Sequence, residues 1–352
     1  MNRTPNRRDL IGLALAGSMS VALTGIVSAQ NATPDATPTG TNGLQPDGTW
    51  AFTDDRGITV TLPAAPTKLV LDTNVCGGLW DFGVRPLGIF GWLSIPEADG
   101  TLPPAAGATD LALVENYGLG EGEIDFELLS VAAPDLIVTY TFAPSDPENL
   151  WSVHPKDLER LESIAPIVAL SGVTGLPEGV ARFAEFAAAV GADLNTPDII
   201  GSQQGIGAAE DRAATLMSEK PAFSALWVAP STDVFYVANP VQARGVIYAR
   251  ELGILTPDLD VEPTEYWEEL SYEQALKYPT DVLYVSTRNG EAALEQVTSH
   301  PTFSQHPAVI AGQVLPWNQD VVTSYPGQMA VLIEILTAME TFSDTVVEED
   351  WV

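Results

Sequence analysis

Two separate stretches of the chain, residues 125–139 and 271–285, follow the same order of residue types. Each begins with a polar residue, an aromatic residue and a glutamate, continues as a short apolar helix, and then reaches an aspartate and an apolar strand. Acid-capped helices that lead into apolar strands are common, so such a match can also arise by chance. The preferred interpretation is a duplicated unit, which predicts two similar lobes.

The segment between these stretches, residues 196–218, has the pattern of one long helix. Thr196 provides a capping hydroxyl, Pro197 suits the first helical position, and Asp198 places an acid in the first turn. Apolar residues then recur at steps of three, four and seven, as in an amphipathic helix. Internal glycines oppose this prediction, since each costs up to ~1 kcal/mol against alanine. We predict that this helix, ~33 Å long for about 22 residues, joins the two lobes.

Short apolar runs alternate with helical patterns on both sides of this segment. The pattern begins after a predicted hairpin, in which the strands are residues 50–53 and 58–62. Alternating buried strands and helices predict an α/β fold with Rossmann-like lobes. The predicted strands are residues 68–71, 86–90, 136–140, 166–170, 225–228, 234–237, 282–286 and 313–316. The predicted helices are residues 77–82, 127–132, 157–164, 180–190, 241–252, 291–297 and 326–341.

The N-terminus has the features of a targeting segment. Arg3, Arg7 and Arg8 precede an apolar run over residues 10–27, and small residues follow at positions 27–29. The adjacent arginines resemble a bacterial twin-arginine export signal. An uncleaved anchor is the alternative, because the run is close to the ~20 residues that span a bilayer. No cysteine directly follows the run, so no direct lipid anchor is expected.

The predicted organisation has six parts, and we expect the exported chain to act at the periplasmic or extracellular face of the cell envelope. The parts are an export signal over residues 1–29, a flexible linker over 30–48, an N-terminal α/β lobe over 49–195, the connecting helix over 196–218, a C-terminal α/β lobe over 219–345 and an acidic tail over 346–352.

The charge balance excludes several classes of partner. The 352 residues include 15 Lys+Arg and 47 Asp+Glu, a formal net charge of −32. This field repels nucleic acid and anionic membranes. Cys76 is the single cysteine, which excludes an intrachain disulfide and a cysteine-based zinc site. The three histidines, His154, His300 and His306, fall in predicted loops or helix edges, so we read them as surface residues and predict no metal site.

Residues 50–342 resemble the substrate-binding proteins of ABC importers, in the branch that carries ferric siderophores, haem and cobalamin. The segments that carry this resemblance are residues 52–60, 82–88, 133–138, 158–166, 271–285 and 303–314. The resemblance implies two α/β lobes joined by one rigid helix, with the ligand held between them. It also implies a monomer without an intrinsic cofactor that delivers an iron-siderophore-type chelate to a membrane permease. Haem or cobalamin is the alternative ligand.

Glu127 and Glu273 match the surface glutamates that dock these proteins onto permease arginines. Each lies near a predicted helix start, in equivalent places of the two repeated stretches. The simpler alternative is that each only complements its helix dipole, which contributes ~0.3–1 kcal/mol.

Ligands in open α/β sheets lie beyond the carboxyl ends of the strands, and this rule selects the candidate site. The resemblance adds Tyr140, which follows the Pro-Asp strand, and Trp267, which precedes the second glutamate. Aromatic faces suit a large, partly apolar ligand and arginines bind its oxygens, although core packing or a surface position is the alternative for each. The other predicted ligand-binding residues are Asn74, Trp92, Trp227, Arg244, Arg288, Trp317 and Tyr325.

Glu121 departs from the family pattern. Hydroxamate binders of the family can carry an arginine at the matching place, and an acid there would repel an anionic chelate. Neutral or cationic chelates therefore remain as alternative ligands. Ferric hydroxamates stay among them, because these complexes are often near neutral.

Other functional classes have weaker support in the sequence. It contains no Gly-x-Ser-x-Gly elbow, no dinucleotide-binding glycine pattern after the first strand and no Walker-type phosphate loop. We therefore predict that the protein is not an enzyme. A secreted hydrolase and a cell-surface interaction module remain the alternatives from other classes.

Overall fold

The computed structural model describes residues 42–92, 100, 102–120, 123–288, 290 and 292–347. The predicted export signal, the twin-arginine pair, Glu121 and most of the acidic tail lie outside these residues. The linker predicted over residues 30–48 is described only from Asn42. Its last part belongs to the folded lobe, because β1 (Gly43–Leu44) pairs with the following strand.

The first lobe begins with a small antiparallel sheet and continues with a parallel sheet in the order β10-β9-β4-β5-β6. Helices cover the parallel sheet, and a two-stranded ribbon, β7 with β8, lies beside it. The strands are β2 (Trp50–Thr53), β3 (Thr59–Leu62), β4 (Leu69–Asp72), β5 (Gly88–Phe90), β6 (Glu115–Asn116), β7 (Gly118–Gly120), β8 (Glu123–Ile124), β9 (Leu136–Thr141) and β10 (Ile167–Ser171). The helices are α1 (Thr73–Asp81), α2 (Phe126–Ala132), α3 (Leu158–Glu162) and α4 (Leu176–Ala189).

The second lobe has a mixed sheet in the order β13-β12-β11-β14-β15. Three strands of this sheet are parallel, while β12 and β13 run antiparallel to their neighbours. The strands are β11 (Ala225–Pro230), β12 (Phe235–Ala238), β13 (Trp267–Leu270), β14 (Val282–Ser286) and β15 (Val314–Trp317). The helices are α6 (Arg244–Glu251), α7 (Tyr272–Ala275), α8 (Ala292–Ser299), α9 (Pro307–Ile310) and α10 (Tyr325–Thr341). Short 3₁₀ turns cover Pro104–Ala106, Leu111–Leu113, Pro155–Asp157 and Phe303–Gln305.

The predicted duplication is confirmed by the order of the strands and by one repeated contact. The aspartate before β9, Asp135, accepts hydrogen bonds from the backbone N–H groups of Thr67 and Lys68. In the second lobe Asp281, before β14, accepts from the backbone and the hydroxyl of Ser224. Each aspartate thus secures the start of the neighbouring central strand, so the aspartate that precedes β9 or β14 has the same physical role in both lobes.

The connecting helix is α5 (Pro197–Glu219), and the Thr196 hydroxyl accepts from the N–H of Ile199 at its start, as predicted. Helix α10 packs along it. The side chain of Gln203 donates to the hydroxyl of Tyr325 at 2.7 Å, and Arg212 pairs with Glu340 at 2.9 Å.

Gly205 of α5 faces helix α10. A Cβ at this position would lie 3.2 Å from Cε of Met329, the flexible end of a side chain of α10. At the other end, Lys220 donates to the backbone oxygens of Met339 and Phe342. The two helices are thus fixed to each other at both ends.

Strand β13 was not predicted from the sequence, because it contains two consecutive glutamates. Glu268 is buried, and its carboxylate accepts from Nζ of Lys277 at 2.6 Å and from the hydroxyl of Tyr278 at 2.7 Å. These partners offset the cost of placing a charge inside a sheet. No helix within the described ranges combines the length and apolar character that crossing a bilayer requires.

Glu334 on α10 gives a pH-dependent prediction for stability. Burial raises the pKa of Glu334 to about 7, so the folded state holds its proton more tightly than the unfolded state. The free-energy cost of ionising this buried carboxyl group is absent below the pKa of the unfolded state. It grows as pH rises toward 7 and is complete above pH 7. In Glu334→Gln we expect the stability gain over the wild type to be about 1–2 kcal/mol larger at pH 8 than at pH 4.5, a figure reduced for partial solvent access.

Urea unfolding at both pH values measures this difference. The exposed Glu219→Gln on α5 is the matched control for the loss of one carboxylate. An equal effect of Glu334→Gln at both pH values would contradict the assignment.

Candidate ligand-binding site

A cavity of about 300 Å³ lies between the two lobes and takes side chains from both. Tyr140 reaches it from β9, Arg288 from the loop after β14 and Trp317 from the end of β15, as the strand-end rule predicts. Arg244 begins helix α6, and Trp267 begins β13, an antiparallel strand of the second sheet. The lining residues are Asn74, Tyr140, Phe142, Trp151, Gly172, Arg244, Gly245, Tyr266, Trp267, Arg288, Trp317, Gln319, Asp320, Val321 and Thr323.

Arg244 links the lobes at the base of the cavity. It is the first residue of α6 in the second lobe, and only 8% of it is exposed. Its guanidinium donates to the hydroxyl of Thr323 and to the backbone oxygen of Ser171, which ends β10 in the first lobe. It also lies 3.4 Å from the hydroxyl of Tyr140. A Cβ at Gly179 would lie 2.8 Å from the guanidinium carbon, so the absence of a side chain there makes room for it.

Tyr140 and Thr323 complete this polar base. Their hydroxyl groups are 2.7 Å apart, and both residues are buried. Burial raises the pKa of Tyr140, an effect that outweighs the opposing influence of the nearby Arg244 guanidinium. The phenol therefore stays protonated at neutral pH and serves as a hydrogen-bonding group rather than as an anion.

Arg288 forms a paired charge at the opposite wall. Its Nε donates to Asp320 at 2.9 Å, and Nη2 donates to the other carboxylate oxygen of Asp320. Burial alone would lower the pKa of Arg288, but the hydrogen bond with Asp320 raises it. Two guanidinium groups and one carboxylate give the lining a formal charge of +1, within a chain whose formal charge is −32.

Aromatic rings from both lobes form the remaining walls. In the first lobe, Phe142 meets Trp151 edge-on at 5.2 Å between ring centroids. In the second lobe, Trp267 contacts Tyr266 at 4.8 Å and Trp317 at 6.2 Å. Such walls present flat apolar surfaces around a few fixed polar groups, which is the usual composition of a small-molecule site.

Six of the residues proposed from the sequence, namely Asn74, Tyr140, Arg244, Trp267, Arg288 and Trp317, meet in this cavity. The structure places the other three elsewhere. Trp92 is 47% exposed and stacks on Trp151 from outside. Trp227 is buried in the core, stacked on Tyr284 at 4.7 Å, because the side chains of β11 alternate between the faces of the sheet. Tyr325 begins α10 and packs against Phe82 near the connecting helix.

Trp151 is the main lining residue that sequence reasoning missed. It lies in the loop between β9 and α3. There its backbone N–H donates to the backbone oxygen of Tyr140, and its backbone carbonyl accepts from the hydroxyl of Thr139. No helical or strand period covers this loop. The one sequence feature that could have indicated Trp151 is an aromatic residue in the long loop after β9, the strand that carries the predicted ligand-binding residue Tyr140.

Glu127 and Glu273 occupy equivalent and exposed positions, each as the second residue of its helix, α2 or α7. Asp125 and Ser271 cap these helices through side-chain hydrogen bonds. The pKa of Glu273 is lowered by hydrogen bonds from its own backbone N–H and from Ser271, so the carboxylate is charged at neutral pH.

Across the residues that the structure describes, no group of three or more His, Cys, Asp or Glu side chains could hold a metal ion. His306 is buried rather than at the predicted surface position, because its ring accepts from the N–H of Ala308 at the start of α9. Burial lowers its pKa to about 4.

Two α/β lobes that share one lined cavity define a two-lobed binding protein. The chain belongs to the periplasmic binding protein family, whose profile matches residues 112–321. This family consists of exported solute-binding proteins, and the chain is a binding protein rather than an enzyme.

Three known proteins illustrate the similarity. The crystal structure of DesE, a ferric-siderophore receptor protein from Streptomyces coelicolor, is 30% identical, covers 84% of this chain and 99% of its own, and has a TM-score of 0.74. The Fe(3+)-citrate-binding protein YfmC of Bacillus subtilis (strain 168) is 23% identical over 276 residues, which are 78% of this chain and 80% of YfmC. The petrobactin-binding protein YclQ of Bacillus subtilis shares the fold at 16% identity, covering 83% of this chain and 99% of its own with a TM-score of 0.63.

Proposed function

We propose that this protein is exported, captures a ferric siderophore or a related iron chelate between its lobes, and delivers it to an ABC permease. One observation carries the proposal: aromatic rings from both lobes surround two arginines in a single cavity. A chelate of this kind presents oxygen atoms around the iron and apolar linkers at its periphery, so these two kinds of wall match the two parts of its surface.

The similar proteins support this class of ligand. DesE is described as a ferric-siderophore receptor and YfmC as an Fe(3+)-citrate-binding protein. The cavity lies at the lower end of the ~300–1,000 Å³ range of small-molecule sites, which favours a compact chelate or one that projects through the mouth.

The docking function is proposed for Glu127 and Glu273. Both carboxylates are exposed, both lie in the first turn of a short helix, and the two helices are equivalent in the duplicated lobes. Paired acids on both lobes would contact matching cations on a permease and align the cleft with the entrance of the transport path.

The test is a titration of the purified chain with ferric complexes of a trihydroxamate, a tris-catecholate and citrate, with haem and cobalamin as comparison ligands. We expect saturable quenching of tryptophan fluorescence by at least one ferric chelate, because Trp151, Trp267 and Trp317 line the cavity. At 100-fold excess over Kd the chelate should stabilise the fold by about 2.7 kcal/mol, which a thermal-shift measurement detects. Binding of haem or cobalamin without any ferric chelate, or turnover of an added ester or glycoside, would overturn the proposal.

A further inference from the structure

A buried carboxyl group lies directly behind the first-lobe wall of the cavity. Asp72 is the last residue of β4, is 0% exposed, and caps helix α1 with its side chain. Its Oδ1 accepts hydrogen bonds from the backbone N–H of Asn74 at 2.9 Å and from the side-chain amide of Asn74 at 3.1 Å. Because Asn74 lines the cavity, this oxygen of Asp72 holds one residue of the binding site in place.

The other oxygen of Asp72, Oδ2, lies where two further loops meet. A Cβ at Gly91 would lie 2.3 Å from Oδ2 and 2.8 Å from Oγ of Ser152, so the glycine leaves the space in which these two oxygens lie side by side. The Ser152 hydroxyl accepts from the backbone N–H of Trp92 at 3.0 Å. No described residue completes a regular hydrogen bond to Oδ2. A proton on Oδ2 would supply the donor that this contact lacks, since the Ser152 oxygen has a second lone pair.

Ser152 has a backbone conformation that needs support from its surroundings. Its φ of 61° is in the left-handed region, which residues other than glycine adopt uncommonly. Ser152 directly follows Trp151, which lines the cavity and stacks on Trp92 at 5.9 Å between ring centroids. Such conformations persist where the neighbouring structure fixes them. The position of Trp151 in the cavity wall therefore depends on the contacts that the Ser152 side chain makes with Trp92 and Asp72.

The charge of Asp72 changes in a mildly acidic range. Burial raises the pKa of Asp72 to about 6, and the nearby Ser152 hydroxyl opposes this shift. Burial is also the main reason that the pKa values of the Tyr140 phenol, on β9, and the Cys76 thiol, on α1, are raised, and the charge of Asp72 adds to both shifts. These two groups are therefore neutral near pH 6. The guanidinium of Arg244, 3.4 Å from the Tyr140 hydroxyl, stays charged.

We propose that Asp72 is a positioning residue of the ligand-binding site, whose two carboxyl oxygens hold Asn74 and the turn at Trp151 and Ser152 in the first-lobe wall. This inference rests on the proposed function, because the wall acts only on a ligand in the cavity. Neutral Asp72 can donate from Oδ2 to the Ser152 hydroxyl, so the turn is held more firmly when Asp72 carries its proton. The affinity for the ligand should therefore rise as pH falls through about 6 and be lower above that pH.

The first experiment compares two substitutions of Asp72 by calorimetric titration at pH 7.5. The probe is whichever ferric complex binds most tightly among those of a trihydroxamate, a tris-catecholate and citrate. Asp72→Ala removes both contacts and should weaken binding by roughly tenfold. Asp72→Asn keeps an acceptor for Asn74 and places an amide donor beside Ser152, so its affinity should stay within about threefold of the wild type.

Asp125→Ala is the matched control for Asp72→Ala. It also removes the aspartate cap of a first-lobe helix, but Asp125 does not belong to the cavity lining. This variant should lose stability and keep its affinity. Equal affinity of Asp72→Ala and the wild type would overturn the positioning role.

Ser152→Gly separates positioning from stability. Glycine adopts the left-handed conformation without strain, which offsets the lost hydrogen bond to the N–H of Trp92. The urea midpoint should therefore stay near that of the wild type, while the affinity for the same chelate falls by roughly fivefold. A variant that keeps its affinity would show that the Ser152 hydroxyl does not position the wall.

The last experiment measures the effect of pH, which a merely structural role of Asp72 would not produce. The ratio of the wild-type affinity to that of Asp72→Asn should rise by about threefold between pH 7.5 and pH 5.0, because the variant has no carboxyl group to protonate at this position. Protonation of the chelate itself cancels in this ratio. A ratio that is the same at both pH values would overturn the role of the Oδ2 contact while leaving the carrier function intact. If no ferric chelate binds the wild type, the carrier function fails and this inference fails with it.

Discussion

Arg244→Ala is expected to weaken chelate binding by roughly 30- to 150-fold and to lower the free energy of unfolding by about 2–4 kcal/mol. The reason is that one guanidinium serves both lobes. Its removal leaves the hydroxyl of Thr323 and the backbone oxygen of Ser171 without their charged donor, in a place that water reaches poorly. It also removes the uncompensated cation of the cavity. Calorimetric titration with a ferric chelate and urea unfolding measure the two effects.

Two further variants separate charge from geometry in this prediction. Arg250→Ala changes an exposed arginine on the same helix, which makes one long hydrogen bond to the backbone oxygen of Pro240. Its effect on the free energy of unfolding should therefore stay within about 0.5 kcal/mol. Arg244→Lys keeps the charge but cannot reach two oxygens with a planar fork, so we expect an intermediate loss. Wild-type affinity in Arg244→Ala would show that the guanidinium is structural only.

Reversing both docking charges, in the double variant Glu127→Arg/Glu273→Arg, should reduce uptake of the ferric chelate by cells to near background. Affinity of the purified variant for the chelate should remain unchanged, because both side chains are exposed and neither lines the cavity. Two arginines facing cations on the permease would turn an attraction into a repulsion that slows association. Radiolabelled iron uptake and calorimetric titration give the two measurements.

The matched control for docking changes the net charge by the same amount at another surface. Asp211→Arg/Glu219→Arg places both substitutions on exposed positions of the connecting helix α5. Uptake with this control should stay near normal. If both double variants slow uptake equally, the effect comes from overall charge and the docking surface lies elsewhere; if the Glu127/Glu273 variant supports normal uptake, the docking proposal fails.

The lobes could be predicted from the sequence because their signals are local. Apolar runs of strand length alternate with helical periods, and an aspartate shortly after a proline precedes an equivalent strand in each lobe. Asp135 and Asp281 show why this pattern recurs: each carboxylate secures the start of the adjacent strand. The connecting helix could be predicted equally well, since its buried residues recur at helical spacing while the rest of its surface is polar.

The site was only partly predictable, because its remaining residues come from loops whose paths depend on tertiary contacts. Trp151, Asp320 and Thr323 lie outside the strands and the longer helices, and their places at the cavity depend on tertiary contacts such as the hydrogen bond between the hydroxyls of Thr323 and Tyr140. Trp227 shows the converse problem. An aromatic residue in a strand has the same sequence signal whether it faces a cleft or a core, and here it stacks on Tyr284 inside the second lobe.

The paired helices α5 and α10 have a thermodynamic consequence for binding. They are fixed to each other near both ends, through Tyr325 at one and Lys220 at the other, so the cleft exists before a ligand arrives. Little backbone then has to be ordered on association, and the entropic cost is confined to side chains of the cavity walls. The heat-capacity change of binding should accordingly be small and negative. Its size should match the apolar area of the cavity walls alone, without a contribution from ordering of other parts of the protein.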